Sequence, residues 1–313
     1  MKKELSILIP TYNDDCYDLV QGLLKQAEAI EGLAYEVIVA DDASSLTPVI
    51  MSNRRITESP CCRFIENAVN RGRSAIRNQL MRAAQYEWLL FIDSDMGLVA
   101  ENYLQSYLQT DDQAQVVYGG YVVEGDPQQL KGNLRYRYET KNQETHRAET
   151  RRLQPDRDFH TSNFFIARDV MMRHPLDERF QHYGYEDVLY GRHLTEQGIL
   201  IHHIDNPLSF CRFEENADFL AKTEEGLRTL YTFRNDLQGY SRLLETTSSH
   251  PRLARFVHLL YRKRKKSWRR NLRGPHPSLL TFTLYKWGYY QHYALKMEKE
   301  EALSKAARQD ITE

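Results

Sequence analysis

The sequence predicts an α/β protein: a mainly parallel, Rossmann-like mixed sheet flanked by helices, followed by a helical carboxyl-terminal extension. Three observations predict it. Short apolar runs alternate with longer helical patterns through the first half of the chain, the signature of βαβ units. The segment Trp88-Leu89-Leu90-Phe91-Ile92 is apolar at every position and only five residues long, which reads as a strand buried on both faces. Strand signals vanish beyond about Asn216, where helical patterns take over. In a chain of 313 residues this places the sheet domain at 1–215 and the helical extension at 216–313.

The elements follow in order. Leu5 to Ile9 is the first strand; Leu19, Leu23, Leu24, Ala27 and Ile30 then recur at helical spacing, and Gly32 stops that helix. Tyr35 to Ala40 forms the second strand and ends in Asp41 and Asp42. Phe64-Ile65 is a weak third strand, and Ala75, Ile76, Leu80, Ala83 and Ala84 mark the helix that delivers the chain to the Trp88 strand. Val116 to Val123 reads as one strand, bulged at Gly119-Gly120. From about Leu130 to Arg157 the chain is polar and charged, and an exposed helix and loop are expected there. A strand over Asn163 to Ala167, a helix from Asp187 to about Gln197 and a strand from Ile199 to Ile204 complete the domain.

Hydrophobic residues at 41% and charged residues at 27% suit an ordinary globular protein, so a packed core is expected. The net charge of -1 exerts no global pull on nucleic acid or anionic lipid, so charge has to be read locally. Cys16, Cys61, Cys62 and Cys211 lack the spacing of a disulfide framework or a zinc site, which points to a reducing compartment. The apolar segment ending at Pro10 is too short for a signal-peptide core, and no stretch approaches the roughly 20 apolar residues of a bilayer span. A cytoplasmic protein is the expectation.

Asp93 and Asp95 sit where the buried Trp88 strand runs out. Ligands collect at the carboxyl ends of strands in open α/β sheets, and carboxylates there can hold a hard divalent cation shared with substrate phosphates. Asp41 and Asp42 close the neighbouring strand, where a carboxylate can accept from the N–H of a pyrimidine or start an Asx turn. Asn70-Arg71-Gly72-Arg73 precedes a helix whose amino terminus suits an anion, with Arg77 one turn further along. Glu186 and Asp187 open another helix, where acidic residues also serve as caps.

Five segments, in order, resemble family 2 glycosyltransferases of the GT-A fold: Ser6 to Asn13, Val37 to Ser44, Asn70 to Asn78, Asp93-Ser94-Asp95 as the D-x-D, and Tyr183 to Asp187 as the G-x-E-D segment. The resemblance implies a GT-A-like domain that moves a sugar from a nucleotide-sugar donor, a UDP-sugar, to a carbohydrate acceptor with inversion. It implies Mn2+ or Mg2+ on Asp95, with Asp93 and Ser94 toward the ribose or, for Asp93, the metal. Asp42 would contact the base, with Asp41 beside it and Pro10, Thr11 and Tyr12 next to the nucleotide. Asn70, Arg73 and Arg77 would face the donor's anionic part, and Asn163 the donor sugar or acceptor. Asp187 would be the base and Glu186 would orient the acceptor. A third metal ligand would be His202 or His203. They alternate across a strand, so at most one can reach the site, and either can instead be structural.

Between Pro251 and Arg273 ten Lys and Arg residues occur with no acidic residue among them. With the aromatic run that follows, this fits either a packed helix with a solvated basic face or peripheral contact with the cytoplasmic membrane face through residues 252–290, in which case a lipid-linked oligosaccharide is the expected acceptor. No nucleic-acid-binding fold accompanies the basic stretch. The rival readings are a sugar-phosphate nucleotidyltransferase, which would want a glycine-rich loop after the first strand, and a noncatalytic carbohydrate- or membrane-binding scaffold.

Overall fold

The computed structural model describes residues 1–309. In chain order the elements are β1 (Glu4–Thr11), α1 (Tyr17–Glu28), β2 (Ala34–Asp41), α2 (Thr47–Arg54), β3 (Cys62–Glu66), α3 (Arg73–Ala83), β4 (Trp88–Ile92), β5 (Met96–Leu98), α4 (Tyr103–Leu108), β6 (Val116–Tyr118), β7 (Tyr121–Val123), α5 (Leu134–Lys141), α6 (Ala148–Arg151), β8 (Asn163–Ala167), α7 (Arg168–Arg173), α8 (Glu186–Glu196), β9 (Ile201–His203) and β10 (Leu208–Phe210). The chain then runs through α9 (Asn216–Thr232), α10 (Arg242–Ser249), α11 (Pro251–Arg273) and α12 (Leu279–Gln309).

Two compact units result: residues 1–125, 139–182 and 186–212 form the first, and residues 126–138, 183–185 and 213–309 the second. The first unit holds a seven-stranded sheet in the order β3-β2-β1-β4-β8-β6-β9 and a three-stranded sheet in the order β5-β10-β7. β3, β2, β1 and β4 run parallel, and β8 runs antiparallel to both β4 and β6. β4 is buried at all five positions, as expected of a continuous apolar run inside a two-faced sheet. Trp88 stacks on Phe165 and Phe91 on Phe164, so aromatic pairs fasten the β4–β8 register. The polar ends of β1, β2 and β4 therefore open onto one edge of a rigid sheet.

Residues 116–123 are not one bulged strand. The chain leaves the large sheet after Tyr118 and enters the small one at Tyr121. Gly119 and Gly120 make the crossing. A Cβ on Gly119 would strike the Tyr107 hydroxyl, and Gly120 has φ +84° with the Arg151 guanidinium 2.6 Å from where a Cβ would lie. The stretch from 130 to 157 also departs from expectation. It is not a solvated segment throughout, because Leu134 and Arg151 are among the most buried side chains of their respective units.

In the second unit α11 and α12 lie side by side, and α9 packs on both. Its core joins Leu134, Phe219, Leu220, Tyr261, Leu272, Phe282 and Tyr285. Phe282, Tyr285, Trp287 and Tyr290 are buried, which corrects the expectation that the aromatic run of 282–290 faces a membrane. The Tyr285 hydroxyl donates to Glu224 at 2.5 Å, and Arg228 donates to the Tyr289 hydroxyl at 2.8 Å, so these two phenols are satisfied within the unit. Among the described residues no helix is long and apolar enough to cross a membrane.

Candidate active site

The site is assembled around α3. Arg73 and Arg77 lie one helical turn apart and both reach Asp93, which follows the last residue of β4. Arg77 is buried; its guanidinium holds one Asp93 oxygen and donates to the Arg73 carbonyl at 3.0 Å. Arg73 holds the other Asp93 oxygen at 3.2 Å, and its Nε lies 2.6 Å from Glu186 Oε1 at the start of α8. Four charges thus alternate in sign: Arg77, Asp93, Arg73, Glu186. Arg77 is buried beside Asp93, and a buried charge is costly unless an opposite charge meets it in this way. The second Glu186 oxygen, Oε2, is buried with no hydrogen-bond partner among the described residues.

Asp187, the next residue, keeps about 21% of its side chain exposed. Its Oδ1 accepts from the Val188 N–H at 2.8 Å, and its Oδ2 accepts from His160 Nδ1 at 2.7 Å. Burial works against the ionised Asp187 carboxyl, but the His160 hydrogen bond and charge, the Val188 N–H and Arg73 outweigh it and hold the carboxyl below the ordinary aspartate range. Burial likewise opposes the His160 imidazolium, yet the hydrogen bond to Asp187 and its charge raise His160 above the ordinary histidine value. The two therefore stand as an ion pair at the amino end of α8, where the helix dipole also favours carboxylates.

The loops from β1 and β2 form the neighbouring wall. Asp42 accepts the Arg71 and Gly72 N–H groups at 2.8 and 2.9 Å, clamping the turn that starts α3. Gly72 has φ +88°, and a Cβ there would lie 3.0 Å from the Gln181 backbone. Asn70 Oδ1 also accepts from Gly72 N–H, at 3.1 Å. Asp41 accepts from the Ser44 N–H and hydroxyl, and holds a turn in which Ala43 has φ +65°. Such a non-glycine residue carries about 1–3 kcal/mol of backbone strain, of the kind that gathers at binding loops. Pro10 is half-buried and Thr11 buried, with the Thr11 hydroxyl donating to the Asp14 carbonyl at 2.8 Å. Tyr12 is 52% exposed, so its ring face remains available. Ser94 is buried and Asp95 half-buried between β4 and β5.

Three sequence-predicted site residues sit elsewhere in the packing. Asn163 is completely buried: Oδ1 accepts from the Tyr103 and Tyr107 hydroxyls at 2.6 and 2.7 Å, and Nδ2 donates to the Gly120 and Asn206 carbonyls at 2.7 and 3.0 Å. An amide so saturated has nothing left for a sugar. His203 is buried with Nε2 on the Pro155 carbonyl and Nδ1 on Arg151, both at 2.9 Å, which occupies both nitrogens. Burial, with Arg151 and Arg152 nearby and against the Pro155 hydrogen bond, pushes its pKa down to about 4, so the imidazole is neutral and sits in the core. His202 points to the opposite face of β9 and is exposed. Among the described residues no three His, Cys, Asp or Glu side chains are grouped to hold a metal.

His160 is the residue that sequence reasoning passed over. It lies in the polar turn before β8, where Asn163 drew the attention; the imidazole's partner is 27 residues away along the chain. Nothing local in the sequence signals that pairing.

The family model described as Glycosyl transferase family 2 matches residues 6–175, more than half of the chain. The chain belongs to glycosyl transferase family 2. This family 2 glycosyltransferase is 30% identical over 120 residues to a poly(ribitol-phosphate) beta-glucosyltransferase of Bacillus spizizenii, covering 37% of this chain and 19% of that protein. It is 24% identical over 242 residues to chondroitin synthase of Pasteurella multocida, covering 66% of this chain and 24% of that protein. The chain spans less than half the length of the curated relatives it matches. Its fold is similar to that of a mannosyltransferase, PcManGT of Pyrobaculum calidifontis, solved in complex with GDP-Man and Mn2+. The TM-score is 0.55 at 14% identity, over 94% of this chain and 88% of that one, and the shared fold is GT-A.

Proposed function

We propose that this family 2 glycosyltransferase moves a sugar from a UDP-sugar to a carbohydrate acceptor, free or on a lipid-linked oligosaccharide, in the cytoplasm. The observation that carries the reading is Arg73, 3.2 Å from Asp93 and 2.6 Å from Glu186, because one guanidinium ties the D-x-D to the helix that bears Asp187. The nucleotide lies along the carboxyl ends of β1 and β2, its base against the Tyr12 ring and the loop that Asp41 and Asp42 hold. Asp93, neutralised by Arg73 and Arg77, faces the ribose. The Glu186 oxygen that lacks a partner accepts from a sugar hydroxyl and orients it.

Asp187 receives the proton of the attacking hydroxyl. As that oxygen bonds to the anomeric carbon from the open face, the bond from carbon to the diphosphate oxygen breaks. UDP leaves with the bonding pair, and the configuration inverts. His160 positions the Asp187 carboxylate and keeps it ionised.

The donor set fits a hard cation. Asp93 has both oxygens on guanidinium groups and is the poorer ligand, which leaves Asp95 as the proposed protein ligand, an oxygen donor. Mn2+ and Mg2+ accept one or two carboxylates and take their remaining ligands from water and phosphate. When bound, such a cation supplies charge neutralisation to the departing diphosphate.

The test is UDP release from a panel of nucleotide sugars with Mn2+. Asp95→Ala should lower turnover about a hundredfold, since phosphate and water still retain some cation. A protein that binds no nucleotide sugar even with metal present would end the reading.

The pH profile tests His160. Asp187 is depressed, so its charge and its contribution to folding are present above the unfolded aspartate value and are lost as pH falls through the lowered one. His160 is raised, so its contribution is present below the unfolded histidine value and is lost as pH rises through the raised one. The acid limb of kcat should therefore lie below the ordinary aspartate range, and His160→Gln should move it upward as burial loses its opponent. An unmoved limb in that variant would remove His160 from the site.

A further inference from the structure

We propose that the outward face of α11 docks on an anionic lipid bilayer, a role beyond the reaction assigned above. The packing of the helical unit divides this helix. Ala254, Val257, Tyr261 and Leu272 face inward and are buried, Tyr261 and Leu272 in the main core and Ala254 and Val257 against Trp287. Every one of the ten basic residues from Arg252 to Arg273 is exposed. Three large apolar side chains are exposed as well: Leu253 at 47%, Phe256 at 56% and Leu259 at 54%.

At 3.6 residues per turn, Phe256 and Leu259 fall on the same side as Arg252, Lys263, Lys266 and Arg270, opposite the buried stripe. The outer surface is thus an apolar patch set within positive charge, on a helix about 34 Å long. Such a surface meets two demands of an interface at once. Phe and Leu can enter the boundary between headgroups and acyl chains, while the long Arg and Lys stems snorkel to phosphates. No acidic residue on α11 competes for those cations; among the described residues Arg269 alone of them approaches a carboxylate, Glu224 of α9, at 3.7 Å. Nucleic acid would use the charge and have no use for the exposed apolar side chains, which is why the bilayer is the occupant inferred.

The test is co-sedimentation of the full chain with vesicles of phosphatidylcholine, with and without phosphatidylglycerol. Binding should be at least about tenfold stronger on the anionic vesicles and should fall as salt shortens the Debye length. Phe256→Ser with Leu259→Ser should weaken it, and each charge removed by Arg252→Gln, Arg255→Gln, Lys263→Gln or Lys266→Gln should weaken it about fivefold. All six positions are exposed, so folding is preserved, and UDP release in solution should stay at the wild-type rate. No binding of the wild type to anionic vesicles at low salt overturns the proposal. So does equal binding by wild type and variants, or capture of RNA or self-association through this face without vesicle binding.

Discussion

Asp187→Asn should lower kcat by about a hundredfold to ten-thousandfold, the range that a positioned general base contributes. The substitution is close to isosteric, and an amide oxygen can still accept from the Val188 N–H that now lies 2.8 Å away. What disappears is the proton acceptor. The attacking hydroxyl must then lose its proton to water, which the bound donor largely excludes from the reacting atoms. Donor KM should change less than about threefold, because Asp93, Arg73 and the β1 and β2 loops are untouched, so the loss belongs to the transition state. Steady-state UDP release measures both constants. A variant that keeps more than about a tenth of wild-type kcat would show that the base is another group.

Arg151→Met should destabilise the sheet unit by about 3–5 kcal/mol, the cost of emptying a buried polar hub. Arg151 is 1% exposed and uses all five of its N–H donors. Nε donates to the His146 carbonyl at 2.8 Å; Nη1 donates to the Tyr118 carbonyl at 3.2 Å and to His203 Nδ1 at 2.9 Å; Nη2 donates to the Gly119 and Ile204 carbonyls at 3.1 and 2.9 Å. The guanidinium also lies 4.7 Å over the Tyr118 ring. Methionine fills much of the volume but takes a donor from four carbonyls and an imidazole nitrogen; the Tyr118 and Gly119 carbonyls keep the Ile204 and Asn206 N–H groups, while the His146 and Ile204 carbonyls and His203 Nδ1 lose the guanidinium. The urea midpoint should fall with the slope unchanged, and amide exchange should accelerate first in β6 and β9. A midpoint shift worth less than about 1 kcal/mol would mean that water replaces the guanidinium without penalty.

The sheet was readable wherever hydrophobic pattern alone decides the element. The apolar run Trp88 to Ile92 and the segment Asn163 to Ala167 coincide with β4 and β8, residue for residue. Gly119 and Gly120 were harder: a glycine pair marks a departure from regular strand geometry but does not say whether the chain bulges or changes sheets. That depends on Tyr107, Asn206 and Arg151, all distant in sequence. The polar stretch around Arg151 looked solvated because an arginine saturated by carbonyls carries the same local signature as one in water.

In the site, the segments bearing Arg73, Asp93 and Glu186 could be picked out because each sits at the end of a predictable strand or helix, and the structure brings the three side chains together. Asn163 and His160, three residues apart in one turn, could not be told apart by type or position. The fold buries the first among two tyrosines and turns the second toward Asp187.

The exchange of sheets at Gly119-Gly120 also imposes an order on biosynthesis. β1, β2, β3 and β4 precede the exchange and pair with one another, β4 keeping one edge open for β8, so these four can pair as the chain emerges. β6 has to wait for β8 and β9, and β7 for β10, all of which are made later. During that interval Val116, Val117, Tyr118 and the β4 edge are apolar strand edges without partners, the part of the nascent chain most exposed to mispairing. The last strand that relieves them, β9, ends at His203, and β10, which β5 and β7 await, ends at Phe210, only a few residues before α9 begins.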